Sequence, residues 1–289
     1  MVITEATADE VAALIERLPP AEAMPLAQER LRRLAQPTTT FSELWRQLIV
    51  CGFSSLERSD PGTPLDAFAR GGSLVLDLAS ILELGEDSTW IADQLAQARL
   101  NRMAQKKRDL VISACAAFVS AKGSDDRLMN GIAGDNGLKI FLDLASGRVN
   151  DRDLASSGAF SAAIDAGPFF GIGHKQIRNI MVNSGLAHNV VPIDSRWQAF
   201  FGGLLEFSPA DLSQRARYLA IEGVLRNALL RIQGSRRDIP NLAVLDSMVF
   251  ASQSPQGHGV SGWAGSGYLG HGGQPRSGPS CRDAIRAKR

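Results

Sequence analysis

Cysteine is scarce in this chain. Three among 289 residues, Cys51, Cys115 and Cys281, stand far apart without a Cys-x-x-Cys pairing, which argues against a zinc site, a disulfide framework or an iron–sulfur cluster. No cofactor and no metal are expected. Neither sign of charge is in excess, the formal net charge being +1, so any field that attracts nucleic acid must come from uneven placement of Lys and Arg. No uninterrupted apolar stretch reaches the ~18 residues of a spanning helix. The start, Met1-Val2-Ile3-Thr4-Glu5, has neither the basic lead nor the apolar core of an export signal. A cytoplasmic protein away from membranes is the expectation. Long period-two alternation is missing as well, and the β-branched run at 189–193 is too short to propose a sheet. No internal repeat of fixed period is evident.

What is present suits a nearly all-α protein. At 44% hydrophobic and 21% charged, the chain can bury a sizeable core in one or two domains. Thr7-Ala8-Asp9-Glu10 has the form of a capping box ahead of Val11, Leu14, Ile15 and Leu18, and Pro19-Pro20 stops that helix. Helical spacing resumes at Leu26, Leu31 and Leu34 and again after a second box at Thr40–Glu43, giving an N-terminal helical region over 1–58. The loop-rich 59–64 reads as a boundary. Beyond it, 74–84 reads as a buried helix and 89–103 as an amphipathic one ending in Arg99, Arg102, Lys106, Lys107 and Arg108, a basic group that reads as a solvated face. A core-like helix at 110–119 delivers Ser120-Ala121-Lys122-Gly123 at its C-terminal end. Residues 254–280 are rich in Gly, Ser, Pro and Gln, which cannot bury enough surface to offset ordering entropy, so 253–289 reads as a disordered tail.

The stretch at 167–197 carries the chemistry. Gly171 and Gly173 flank a single apolar residue, as in a tight turn whose backbone takes unusual dihedrals and lies bare against a partner. A third glycine and a preceding strand are missing, which excludes a dinucleotide fingerprint or a P-loop. Ile177, Ile180 and Met181 recur at helical spacing, so a helix begins near His174 and ends at Ser184-Gly185. Lys175 falls in its first turn, where unpaired N–H groups attract phosphate and disfavour a protonated amine. Asp194 follows nineteen residues later behind Val190-Val191-Pro192-Ile193. Ten helical residues carry the chain roughly 15 Å away, and the following segment, if extended, spans more than about 20 Å back. The spacing therefore allows a Lys/Asp pair.

Phe-Phe-Gly-Ile-Gly-His-Lys (169–175) followed by Val-Pro-Ile-Asp (191–194) resembles the helix-hairpin-helix and catalytic aspartate of the DNA glycosylase superfamily that includes endonuclease III and the 8-oxoguanine DNA glycosylases. The Lys-to-Asp spacing is most similar to the 8-oxoguanine branch. Ser120-Ala121-Lys122-Gly123-Ser124-Asp125 is similar to the family's Ser-Ala-Gln-Ala-Thr-Asp segment entering the DNA. The match covers 109–201. Phe170 stands where the hairpin usually has proline, Ile177 where it has alanine, and Arg196 where histidine is frequent.

The resemblance implies an all-α, helix-hairpin-helix glycosylase-like fold of two helical subdomains with the active site between them. One is 65–192, with the hairpin at about 160–185; 193–252 packs with the N-terminal region. It implies a monomer acting on double-stranded DNA with a flipped-out base, 8-oxoguanine being the first expectation. Lys175 and Asp194 would be catalytic, while Gly171, Gly173, His174, Lys122 and Arg196 would touch DNA. Cleaving an N-glycosidic bond builds positive charge on the sugar that a carboxylate stabilises, and an amine attacking the anomeric carbon forms an imine, permitting strand cleavage by β-elimination. Trp197 and Phe250 are aromatic residues that can stack on a base, though helical spacing favours a core role for both. A helix-hairpin-helix module that binds DNA without catalysis is the alternative.

Overall fold

The computed structural model describes residues 5–35, 41–57, 62–84, 88–122, 171–185 and 187–253. Among them, regular structure is helical and no strand occurs, in line with an all-α class. The helices are α1 (Glu5–Glu16), α2 (Pro25–Ala35), α3 (Phe41–Phe53), α4 (Pro64–Arg70), α5 (Leu78–Leu84), α6 (Ser88–Gln97), α7 (Ala104–Lys122), α8 (His174–Asn183), α9 (Ser195–Phe201), α10 (Pro209–Ser213), α11 (Arg215–Ile232) and α12 (Leu242–Gln253). No helix among the described residues is long and apolar enough to cross a membrane. The expected first helix of the hairpin, residues 123–125 and the tail from 254 lie outside the described residues.

Apolar side chains gather in two cores. The first is built by α3, the segment from α4 to α7, and α8, whose Ile177, Ile180, Met181 and Val182 are buried in it with Ala187 and Val190. The second joins α1 and Ala27 of α2 to Val191, Ile193, α9, α11 and α12. Helix α3 belongs to the first core, so the expected division near residue 58 does not follow the packing. Its Leu44, Trp45, Leu48, Ile49 and Phe53 are buried among α4–α8 rather than against α1 and α2.

Several local expectations give way to particular dihedrals and caps. Helix α1 already runs from Glu5, which places Thr7 inside the helix rather than at its cap. The stretch at 74–84 is a 3₁₀ turn, Leu74–Leu76, followed by α5. The helix expected over 89–103 ends at Gln97, because Arg99 and Met103 adopt left-handed backbone (φ 58° and 49°) on either side of the buried Leu100. Ser208 caps α10, accepting from the N–H of Asp211; that helix is five residues long, and Gln214 separates it from α11.

Candidate active site

Chain direction and burial bring the two halves of the site together. The turn at 171–173 precedes α8, and its Gly171 has φ +75°, a conformation that favours a residue without Cβ. Ile172 drives into the first core, where Gly52 of α3 leaves room: a Cβ there would stand 2.4 Å from Leu110 Cδ1 and 3.0 Å from Ile172 Cδ1. Gly173 differs from expectation. Its φ of −100° is ordinary extended backbone, and its N–H donates to Gln176 Oε1 at 3.2 Å, so the side chain of the third helical residue caps the turn from above.

Helix α8 then presents Lys175 in its first turn, and Asp194 returns as the N-cap of α9. Lys175 Nζ lies 3.1 Å from Asp194 Oδ2, with the lysine side chain 34% and the aspartate 12% exposed. Asp194 Oδ1 accepts from the backbone N–H and the Nε of Arg196, both at 3.0 Å, and Arg196 Nη2 closes a short ion pair with Oδ2. Burial favours protonation of this carboxylate. The hydrogen bonds and charge of Arg196, with the charge of Lys175, outweigh that effect and hold its pKa below the usual aspartate value. Asp194 is therefore an anion at neutral pH, and cap and ion-pair partner at once.

The opposite wall comes from α12. The Arg196 guanidinium lies over the ring of Phe250, 4.0 Å from its centroid, and Phe250 is 36% exposed. Trp197 points the other way. It is 1% exposed and packs against Phe200 and Phe201, so its face serves the core, and its Nε1 donates to Asp246 Oδ1 at 3.1 Å. Burial pushes the Asp246 carboxyl up to about 6, against the pull of Arg30 and Arg196. This carboxyl, one turn before Phe250 on the apolar helix α12, has no motif around it to signal its place beside the site.

Other candidates settle differently. His174 is buried, its ring against Tyr218 with centroids 5.4 Å apart. Lys122 ends α7, far along that helix from Leu110, and its side chain lies outside the described residues. Within the basic group, Lys107 is fully buried and paired with Glu57 at 2.8 Å, whereas Arg99, Arg102 and Lys106 are exposed. Cys51 lies on α3 close behind the pair. Burial pushes its thiol up to about 12 despite the hydrogen bond from Asn183 and the charges of Lys175 and Arg30, which keeps it neutral and unreactive.

The frame behind the pair was not legible in sequence. Arg178, three residues after Lys175 on α8, is fully buried and forms an ion pair with the fully buried Glu222 of α11 at 2.8 Å. Tyr218, one turn earlier on α11, accepts from Ile193 N–H at 2.8 Å and donates to Val191 C=O at 2.9 Å. Arg30 of α2 grips the far end of α8 through Val182 C=O and Asn183 Oδ1. Arginine, glutamate and tyrosine on helices read as solvated or mixed faces, and nothing in their spacing pairs residues 44 positions apart.

Comparison with family models, with curated proteins and with solved structures finds no match.

Proposed function

We propose that this protein is a base-excision DNA glycosylase with associated AP lyase activity. The observation that carries the reading is the 3.1 Å approach of Lys175 Nζ to Asp194 Oδ2 at a helix start where the two cores meet. An amine beside a carboxylate held anionic is the pair that displacement at a sugar carbon requires. Lys175, once its ammonium has released one proton to solvent, attacks C1′ with the freed lone pair of Nζ as the C1′–N bond to the base breaks, the leaving base keeping the bonding electrons. The anionic Asp194 stabilises positive charge on the sugar and takes the proton that the attacking nitrogen releases. Ring opening converts the adduct to an imine, which acidifies the neighbouring C2′–H and permits β-elimination of the 3′ phosphate.

Two further features support a nucleic-acid substrate. The start of α8, with Lys175 in its first turn, carries the partial positive charge of a helix N-terminus, which suits a phosphate. Phe250, partly exposed, lies with its aromatic face beneath the guanidinium of Arg196, which is itself paired with Asp194, and base–aromatic stacking holds extruded bases of any identity. In the free protein this face carries the Arg196 guanidinium, which has to move aside for a base to stack there. The expected base is 8-oxoguanine.

The test is borohydride trapping on duplex oligonucleotides that each carry one lesion, including 8-oxoguanine and an abasic site. A covalent protein–DNA adduct with at least one lesion is the predicted result. Binding to duplex without trapping on any lesion would leave the non-catalytic helix-hairpin-helix reading in its place.

A further inference from the structure

We infer that Tyr218 and Glu222 are positioning residues, through which one helix fixes both halves of the Lys175/Asp194 pair. The inference rests on the reading above and names what holds that site in register. Glu222 Oε1 accepts from Arg178 Nε at 2.8 Å and from Val191 N–H at 3.0 Å, while its Oε2 accepts from Arg178 Nη2 at 3.4 Å. The same arginine donates through Nη1 to His174 C=O at 3.1 Å, within the first turn of α8. Its guanidinium lies over the Tyr218 ring, 4.3 Å from the centroid. Tyr218 in turn holds Val191 C=O and Ile193 N–H, the two groups that bracket Pro192 just before Asp194. Tyr218 and Glu222 are four residues apart on α11 and so lie on one face.

The start of α8 and the segment that delivers Asp194 are thus tied to the same two side chains. Stability alone does not account for this choice. A buried ion pair loses hydration that its Coulomb energy rarely exceeds, and well-packed apolar residues usually serve stability as well or better. What directional bonds add is register. An apolar contact between α8 and α11 tolerates sliding or rotation, but a forked guanidinium on a carboxylate that also receives Val191 N–H does not. Burial pushes the Tyr218 hydroxyl above its usual pKa, so it stays neutral and able to donate and accept at once. Both catalytic groups have to keep their separation to within a fraction of an ångström, since a misplacement of about 1 Å costs on the order of 10²-fold in rate.

Tyr218→Phe is the discriminating variant, because it keeps the ring beneath Arg178 and deletes only the hydroxyl that holds 191–193. The first readout needs no activity. Lysines of the full chain are reductively methylated with ¹³C-formaldehyde, and the Lys175 resonance is identified by its loss in Lys175→Arg. In Tyr218→Phe that resonance is expected to move toward its position in Asp194→Asn, as the carboxylate drifts from the amine; an unmoved resonance overturns the inference. The second readout is single-turnover trapping, expected to slow at least tenfold with duplex affinity within twofold of the parent. A wild-type trapping rate in the folded variant also overturns it. Should Tyr218→Phe fail to fold, Glu222→Gln is read by the same two measurements and the same criteria. If the parent protein traps no lesion, the glycosylase reading fails, while the resonance still decides whether Tyr218 and Glu222 position the pair.

Discussion

Val190 and Val191 are neighbours in the chain and are buried in different cores. Val190 packs with α3 and α8, and Val191 with α9, α11 and α12. The peptide between them marks the seam of the molecule, and three residues on the chain emerges from it at Asp194. A carboxylate at such a seam has the first core's helix start on one side and the second core's α12 on the other. That placement brings Lys175 to it directly and links it to Phe250 through Arg196.

Asp194→Asn separates charge from capping. Asparagine caps α9 about as well, but it leaves Arg196 and Lys175 without their shared anion. Both cations are more than a third solvent-exposed, so screening limits the loss to about 1 kcal/mol or less. Single-turnover excision on the lesion that the parent protein traps should fall by on the order of 10²–10³, the usual loss when one preorganised electrostatic group is removed. Full activity in a folded variant would reduce Asp194 to a cap.

The same carboxyl has a pH signature. Its folded pKa is depressed, so the stability it contributes is present above the ordinary aspartate value of about 3.9 and is lost as pH falls through the lower folded value. Thermal unfolding of the wild type against Asp194→Asn should therefore show a gap at pH 6 that narrows steadily below pH 4. A gap that stays constant down to pH 2 contradicts the assignment.

Asp246 behaves in the opposite sense. A carboxyl raised to about 6 stabilises the fold fully below about 3.9, and that contribution is lost as pH rises through about 6. Asp246→Asn keeps an acceptor for Trp197 Nε1 and avoids the buried charge. It should raise stability by roughly 1–2 kcal/mol at pH 8 and leave it unchanged near pH 3.5, as read from melting temperatures at the two pH values. Equal shifts at both would show that the carboxyl titrates normally.

The two hairpin glycines should respond differently to alanine. Gly171→Ala places a Cβ on a backbone at φ +75°, a cost of about 1–2 kcal/mol. At Gly173 the backbone is ordinary, and an added Cβ meets only the end of the Gln176 side chain, Oε1, at 3.2 Å. Melting temperature should drop by a few degrees for Gly171→Ala and barely move for Gly173→Ala. The reverse order would mean that the turn is read wrongly.

Much of the site's outline was legible because helix punctuation and chain reach are local properties. Gly173 and Ser184-Gly185 bracket α8 as their chemistry suggests, and the extended return through Pro192 brings Asp194 back to Lys175. Two glycines with one residue between them, however, do not reveal which one adopts positive φ, and here Gln176 rather than backbone freedom accounts for the second. Long-range polar pairing was not legible. Lys107, Arg178 and Glu222 look like solvated charges in sequence and are fully buried, because each meets a partner far along the chain: Lys107 meets Glu57 in the turn after α3, and Arg178 of α8 meets Glu222 of α11. The partition of Val190 and Val191 was equally hidden, since four apolar residues in a row do not tell which core each one enters.

The most direct test of the account is borohydride trapping of the wild type beside Lys175→Gln, on the same lesion-bearing duplexes and with duplex affinity measured in parallel. Glutamine removes the amine and keeps the turn, the helix start and a side chain of similar length. The wild type should give a covalent adduct and Lys175→Gln none, with duplex affinities within a few-fold of each other. An adduct that persists undiminished in Lys175→Gln would contradict it.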